Sequence, residues 1–164
     1  MNFEKIAKNI PTSSLLVFSK KTMFVIALYG FILNLIWELG HAGTLYDMWK
    51  KVDTIVGVFH IFIATFGDMI MVVVITILSA KISRVFSISS LSAKFYFYML
   101  FFGMISGVVL EWSAKALNFW TYNELMPTLT ILGEDVGLSP LLQMTLLPFL
   151  SVVLSNKFYL SRTW

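Results

Sequence analysis

Asn34, Glu38 and His41 put an amide, a carboxylate and an imidazole at the end of a long apolar run. Their spacing of i, i+4 and i+7 places all three on one face of a helix. Further along, His60 and Asp68 lie eight residues apart with Ala64 between them, again on one face. Glu111 and Lys115 follow at i, i+4, in the order that favours an ion pair. Gln143 sits in a fourth apolar stretch. An ionisable group at the centre of a membrane helix costs about 3 kcal/mol, so such residues point first to function.

Three chemistries can use this set. A carboxyl group in an apolar pocket is a candidate general acid, and a second carboxylate or an imidazole beside it supplies the base. On that reading Glu38, Asp68, Glu111 and His60 are the catalytic candidates. Asn34, His41, Trp37, Trp112, Trp120, Tyr122 and Gln143 are the candidates for contact with a lipid-like or apolar substrate. A second use is metal binding, because Glu38-x2-His41 has the carboxylate–imidazole spacing with which helical bundles hold iron or manganese. His60 and Glu111 would complete that site, but the motif has no second copy and Asp68 looks too deep to join. The third use is a proton or cation relay from Glu38 and His60 down to Asp68, in a transport subunit expected to be oligomeric. Beyond Asp68 the chain reads MIMVVVITIL, with only Thr76 polar, which fits a pocket better than a channel.

Plainer roles exist for each residue. Glu38 and Glu111 lie near helix ends and could reach interfacial water, and His60 could bond a backbone carbonyl. Trp37 and Trp112 could be packing anchors. An accessory subunit could use all of these groups only to bond helix to helix. For Asp68 a structural role requires a buried partner such as Asn34, a hydroxyl or Lys115.

The elements that must position these groups follow from composition. Of 164 residues 58% are hydrophobic and 13% charged, against about 25% charged in a soluble domain. Mean hydropathy is +0.82. A bilayer core about 30 Å thick needs roughly 20 helical residues, and four runs qualify, at about 22–39, 54–80, 95–117 and 139–155. The expected fold is an all-α integral membrane protein, one domain over 1–164, with four transmembrane helices in an up-down bundle. With no cysteine there is neither a disulfide framework nor a thiolate metal site. The net charge of +3 is modest, and nothing in the chain supports nucleic-acid binding.

Nine of the twelve Lys and Arg fall before the first run, between the second and third, or after the fourth. The positive-inside rule then puts both termini in the cytoplasm, in a bacterial-type cytoplasmic membrane or its equivalent. Tyr46, Trp49, Trp120 and Tyr122 would mark the outer interface, and Tyr96, Tyr159 and Trp164 the inner one. Residues 1–20 read as a cytoplasmic surface segment. The run after Lys20 and Lys21 is too long for a signal peptide and lacks a small-residue cleavage site, so it is expected to remain as a spanning helix.

Two connections stand out. Residues 81–94, KISRVFSISSLSAK, read either as a short amphipathic piece on the membrane surface or as an ordinary linker. The outer connection 118–138 is long for packed helices and too apolar for a free loop, so it is expected to fold over the bundle as a lid. Ser139 and Pro140 read as the cap and first turn of the fourth helix. Helices 1 and 3 share K-x8-G-x7-E, from Lys21 to Glu38 and from Lys94 to Glu111, which would suit a duplicated hairpin with its two carboxylates at one level. Gly30, Gly103 and Gly107 are expected at close helix contacts. The chain thus reads as a small membrane enzyme or binding protein with an outward-opening polar pocket, its partners being the bilayer and a lipid-like molecule.

Overall fold

A computed structural model describes residues 18–42, 44–46, 54–119 and 121–161. The surface segment expected at 1–20, apart from its last three residues, and Trp49, Trp120 and Trp164 lie outside the described residues. Four long helices dominate: α1 (Lys20–Ala42), α2 (Thr54–Ser83), α3 (Ala93–Ala116) and α4 (Leu138–Leu160). All four are long and apolar enough to cross a membrane.

The side chains are arranged as lipid demands rather than as water demands. Phe24, Ile36, Phe59, Ile63, Phe66, Phe97 and Val109 face outward, while Asn34, Glu38, Thr76, Ser79, Glu111, Gln143, Ser151 and Ser155 are buried between the helices. An outward polar group in hydrocarbon would lose its hydrogen bonds, whereas an outward Phe or Ile loses nothing. These helices fit an integral membrane protein in contact with the bilayer.

Each helix is longer than the apolar run that announces it. The first begins at Lys20 because Ser19 accepts a hydrogen bond from the Thr22 N–H. Helix α2 runs through Lys81 to Ser83, where Arg84 adopts a left-handed conformation (φ 58°) and turns the chain. Val85 then inserts into the core, and a short 3-10 turn at Ile88–Ser90 leads to Ser92, which caps α3 by accepting from the Phe95 N–H. Residues 81–94 are therefore a compact turn anchored by Val85, with no separate amphipathic helix. At the end of α3, Asn118 takes the left-handed conformation (φ 56°) and Phe119 N–H closes back on the Ala114 carbonyl, a frequent way to stop a helix.

The expectation for 118–138 needs correcting. It contains a β-hairpin, with β1 (Thr128–Ile131) antiparallel to β2 (Glu134–Gly137). The two-residue turn at Leu132 and Gly133 has positive φ at both positions (52° and 87°), the geometry that matches strand twist in tight hairpins. Only part of the segment covers the bundle: Met126 and Val136 are buried, but Leu125, Leu129 and Leu132 are exposed. The start of α4 also differs. Its N-cap is Gly137, without a side-chain cap, and Ser139 reaches His41 on α1 instead. Pro140 does lie in the first turn, where its missing N–H is not needed.

Helices α1 and α2 meet at Gly30, where an added Cβ would stand 3.1 Å from Val72. Helices α3 and α4 approach more closely still. A Cβ on Gly103 would lie 2.4 Å from the Met144 carbonyl oxygen, and one on Gly107 would lie 3.2 Å from the Leu141 Cα. Met144 is also four residues before Pro148, which has no N–H to donate to that carbonyl. The carbonyl that Pro148 leaves without its helical donor is the one that Gly103 brings α3 against. The end of the bundle beside Lys20 and Ser83 is close-packed around Met23, Ile26, Val72, Ile75, Phe95, Met99 and Val152.

Gly103→Ala is expected to destabilise the protein by about 1–3 kcal/mol, the range for overpacking. Gly40→Ala, where nothing lies within 4 Å, is expected to be neutral or slightly stabilising. Thermal unfolding in detergent compares the two, and equal melting temperatures would refute the close-approach role of Gly103.

Candidate functional site

The end of the bundle beside residues 44–46 and 121–137, here called its outer half, is not filled. A cavity of about 810 Å³ lies there, within the size range of ligand pockets. Its apolar wall includes Ile63, Ala64, Met71, Leu110, Phe119, Pro140 and Met144; its polar groups include Glu38, His41, Tyr46, His60, Asp68, Glu111 and Gln143. His60, Ile63 and Gly67 on α2 border the cavity and are exposed on the bundle surface, as are Ser113 and Phe119. The cavity therefore opens between the outer parts of α2 and α3.

One side of it is built on the Gln143 amide. Its Nε2 stands 3.0 Å from Asn34 Oδ1, 2.9 Å from Glu38 Oε1 and 2.8 Å from Asp68 Oδ2. Asn34 in turn donates to the Gly30 carbonyl one turn below at 2.8 Å. Glu38 and Asp68 thus present their carboxyl groups to the same nitrogen, from α1 and from α2. Glu38 Oε2 lies 3.8 Å from His41 Nε2, and His41 Nδ1 lies 3.3 Å from the Ser139 hydroxyl. A continuous polar chain thus joins α1, α2 and α4.

On the other side is Glu111, 1% exposed on α3. It accepts a hydrogen bond from the Tyr122 hydroxyl, which accepts one from the Gly137 N–H at 2.9 Å. An added Cβ on Gly137 would stand 3.1 Å from the Tyr122 ring, so the glycine admits the ring against the base of the hairpin. Tyr46 pairs with Tyr122 as an isolated β-bridge, with ring centroids 5.9 Å apart. Asn123 donates its N–H to the Leu45 carbonyl and its side-chain amide to the Thr44 carbonyl. Burial holds the Tyr46 hydroxyl well above the ordinary tyrosine range, and the carboxylates of Glu111, Glu38 and Asp68 push it further the same way. Tyr46 consequently remains a proton donor.

Two expectations about partners are corrected here. Asp68 is not too deep to meet Glu38. Counted from the helix ends at Lys20, Ser83, Ala93 and Leu160, Asn34 and Asp68 lie about 21–23 Å along their helices, and Gln143, Glu38 and Glu111 about 26–27 Å. Counting from the outer ends misleads because α2, with 30 residues, is about 45 Å long and projects beyond its neighbours. Lys115, for its part, pairs neither with Glu111 nor with Asp68. It donates to Glu134 Oε2 at 3.3 Å and to the Asp135 carbonyl at 3.0 Å, holding β2 to α3.

Of the residues singled out in the sequence, Glu38, His41, His60, Asp68, Glu111 and Gln143 border the cavity. Asn34 lies beneath it, joined through Gln143. Tyr122 lines a smaller neighbouring pocket with Lys115 and reaches the cavity through Glu111. Trp37 and Trp112 do not border the cavity, and the indole N–H of each has no partner among the described residues. Trp120 is outside the described residues. Among the described residues no three His, Asp or Glu side chains gather as a metal ion would require. Tyr46, Met71, Phe119 and Met144 were not foreseen as lining residues. Their positions depend on how α2, α3 and α4 diverge, and no local spacing signals that.

The chain matches no protein-family model, no curated protein and no solved structure.

Gln143→Leu keeps the side-chain bulk but removes the donor that three helices share. It is expected to lower stability by about 1–3 kcal/mol, the cost of leaving buried acceptors unsatisfied. Chemical denaturation in detergent reads the change, and an unaltered midpoint would show that the amide does not hold the helices together.

Proposed function

We propose that this is a small polytopic membrane protein that takes a lipid-like or apolar molecule into its outer cavity, either to bind it or to act on it by acid/base chemistry. Its helices would form an up-down bundle with both termini cytoplasmic, as the Lys and Arg distribution suggests. The observation that carries the reading is the cavity itself: apolar walls, open between two helices, with carboxyl groups from three helices at its border. A bundle that used these groups only as helix-to-helix links would have no need to leave space beside them.

The arrangement suits proton transfer. Glu38 and Asp68 stand together on the Gln143 amide, and a carboxyl group there could take up or release a proton. Glu111 faces it from α3 with its orientation fixed by Tyr122. A substrate double bond or heteroatom between the two sides could be protonated from one and deprotonated from the other. Transport across the bilayer has less support, because the cavity ends inward in close apolar packing. The buried hydroxyls of Thr76, Ser151 and Ser155 below it bond back to carbonyls of their own helices.

Native mass spectrometry of protein released gently from its membrane tests the reading. A retained lipid-like mass is expected with the native chain. It should be lost in Glu38→Gln and Glu111→Gln while both variants keep a cooperative melt. If neither the native chain nor the variants hold a ligand, and both substitutions only lower the melting temperature, the polar groups are structural and the proposal fails. A proton flux in liposomes that Asp68→Asn abolishes would also overturn it, in favour of transport.

A further inference from the structure

We propose that the cavity is selective for a lipophilic amine, a molecule whose cationic nitrogen sits between the Glu38–Asp68 pair and Glu111 while its hydrocarbon part lies along Ile63, Met71 and Met144. This rests on the ligand-binding reading above and names the class of ligand.

Charge is the first argument. Carboxyl groups reach the cavity from α1, α2 and α3, and the only other ionisable groups on its described lining are the imidazoles of His41 and His60 and the Tyr46 hydroxyl. No Lys or Arg is among the described lining residues. Among the described residues, Lys115 belongs to the neighbouring pocket and is engaged by Glu134 and the Asp135 carbonyl. A fatty acid or phospholipid head placed here would be a desolvated anion beside carboxyl groups, with no Lys or Arg among the described lining residues to balance it. A cation meets the opposite situation, in a site where low polarity strengthens the attraction.

Hydrogen-bond supply is the second argument and is independent of charge. The Gln143 Nε2 has two hydrogens, yet stands within 3.0 Å of three acceptors on three residues. The Asn34 amide is turned away, to the Gly30 carbonyl. Glu38 and Asp68 bring further lone pairs, so the cluster is short of donors. An ammonium group brings up to three, an alcohol one, and a carboxylate none. Third, the walls decide what kind of cation. An inorganic ion would leave most of an apolar cavity of about 810 Å³ unused, and no three His, Asp or Glu groups converge for a metal among the described residues. A hydrocarbon chain fills that space and can enter through the gap between α2 and α3 without crossing water.

The test uses the full chain in phosphatidylcholine nanodiscs at pH 7. Dodecylamine, dodecanol and dodecanoate are titrated separately, each measured against empty nanodiscs. Dodecylamine is expected to bind about tenfold or more tightly than dodecanol, the gain of a charge-assisted hydrogen bond over a neutral one, and dodecanoate should show no binding above the lipid background. Glu38→Gln and Glu111→Gln should each weaken dodecylamine binding and narrow its advantage over dodecanol. If dodecanol or dodecanoate binds as well as the amine, selectivity for amines is refuted and the cavity reading stands. If none of the three binds above empty nanodiscs, the proposed function falls with it. A preference that survives both substitutions would place the amine elsewhere and overturn the assignment. Should a variant fail to fold, the three-ligand comparison on the native chain decides.

Discussion

The Gln143 side-chain amide links three helices at one point, and most of the outer bundle depends on it. In hydrocarbon, helices are not driven together by exclusion of water, because lipid tails are as apolar as the side chains they touch. Association needs packing or polar bonds. Gln143, on α4, brings Asn34 and Glu38 of α1 and Asp68 of α2 to a single nitrogen. Since the acceptors include two carboxyl groups, the same contact that joins the helices also gathers the ionisable groups. Structural and chemical readings of Glu38 and Asp68 are therefore not opposed. The polar network sets their positions, and the space beside them gives those positions a use.

Helix α3 is held by different means. It lies against α4 through Gly103, at a distance that no larger residue would allow, and through Gly107, where an added Cβ would be tight. Its outer end is joined to the hairpin by Lys115 and, through Glu111, Tyr122 and Gly137, to the start of α4. Tight packing against α4 and an apolar inner half leave the outer approach between α2 and α3 open. The cavity results from that contrast. Where glycines and small hydroxyl residues allow contact, the bundle is solid; where longer polar side chains meet, a space remains.

The two outer connections work as one unit. Residues 44–46 and 121–123 are tied by backbone pairing, by the Asn123 amide and by the Tyr46 and Tyr122 rings. The rings continue to His41, whose centroid lies 5.0 Å from that of Tyr46. The cavity is thus bordered on its outer side by aromatic groups bound to the same network that lies beneath it. Strand β1 and the hairpin tip, by contrast, leave Leu129 and Leu132 outward, the latter 88% exposed.

The sequence by itself determined the helices, because the length and apolarity of a membrane span are properties of a continuous segment and need no knowledge of its neighbours. Four runs were enough for four helices, and helical spacing was enough to place Asn34, Glu38 and His41 on one face. The glycines at close contacts were legible for the same reason, since only a missing side chain suits such a contact. The hairpin at 128–137 has one β-prone strand, TLTI, and a glycine in its turn, but its second strand, EDVG, has little strand propensity of its own, so the segment's apolar residues suggest a lid instead. Tertiary structure alone decided the partners. Gln143 bonds both Asp68 and Glu38, and Lys115 bonds Glu134, because helices of unequal length are aligned by their packing. That alignment is a relation between segments distant in the chain. Spacing within one helix specifies a face and not a height, so only the assembled bundle could show which polar groups meet and that a cavity lies between them.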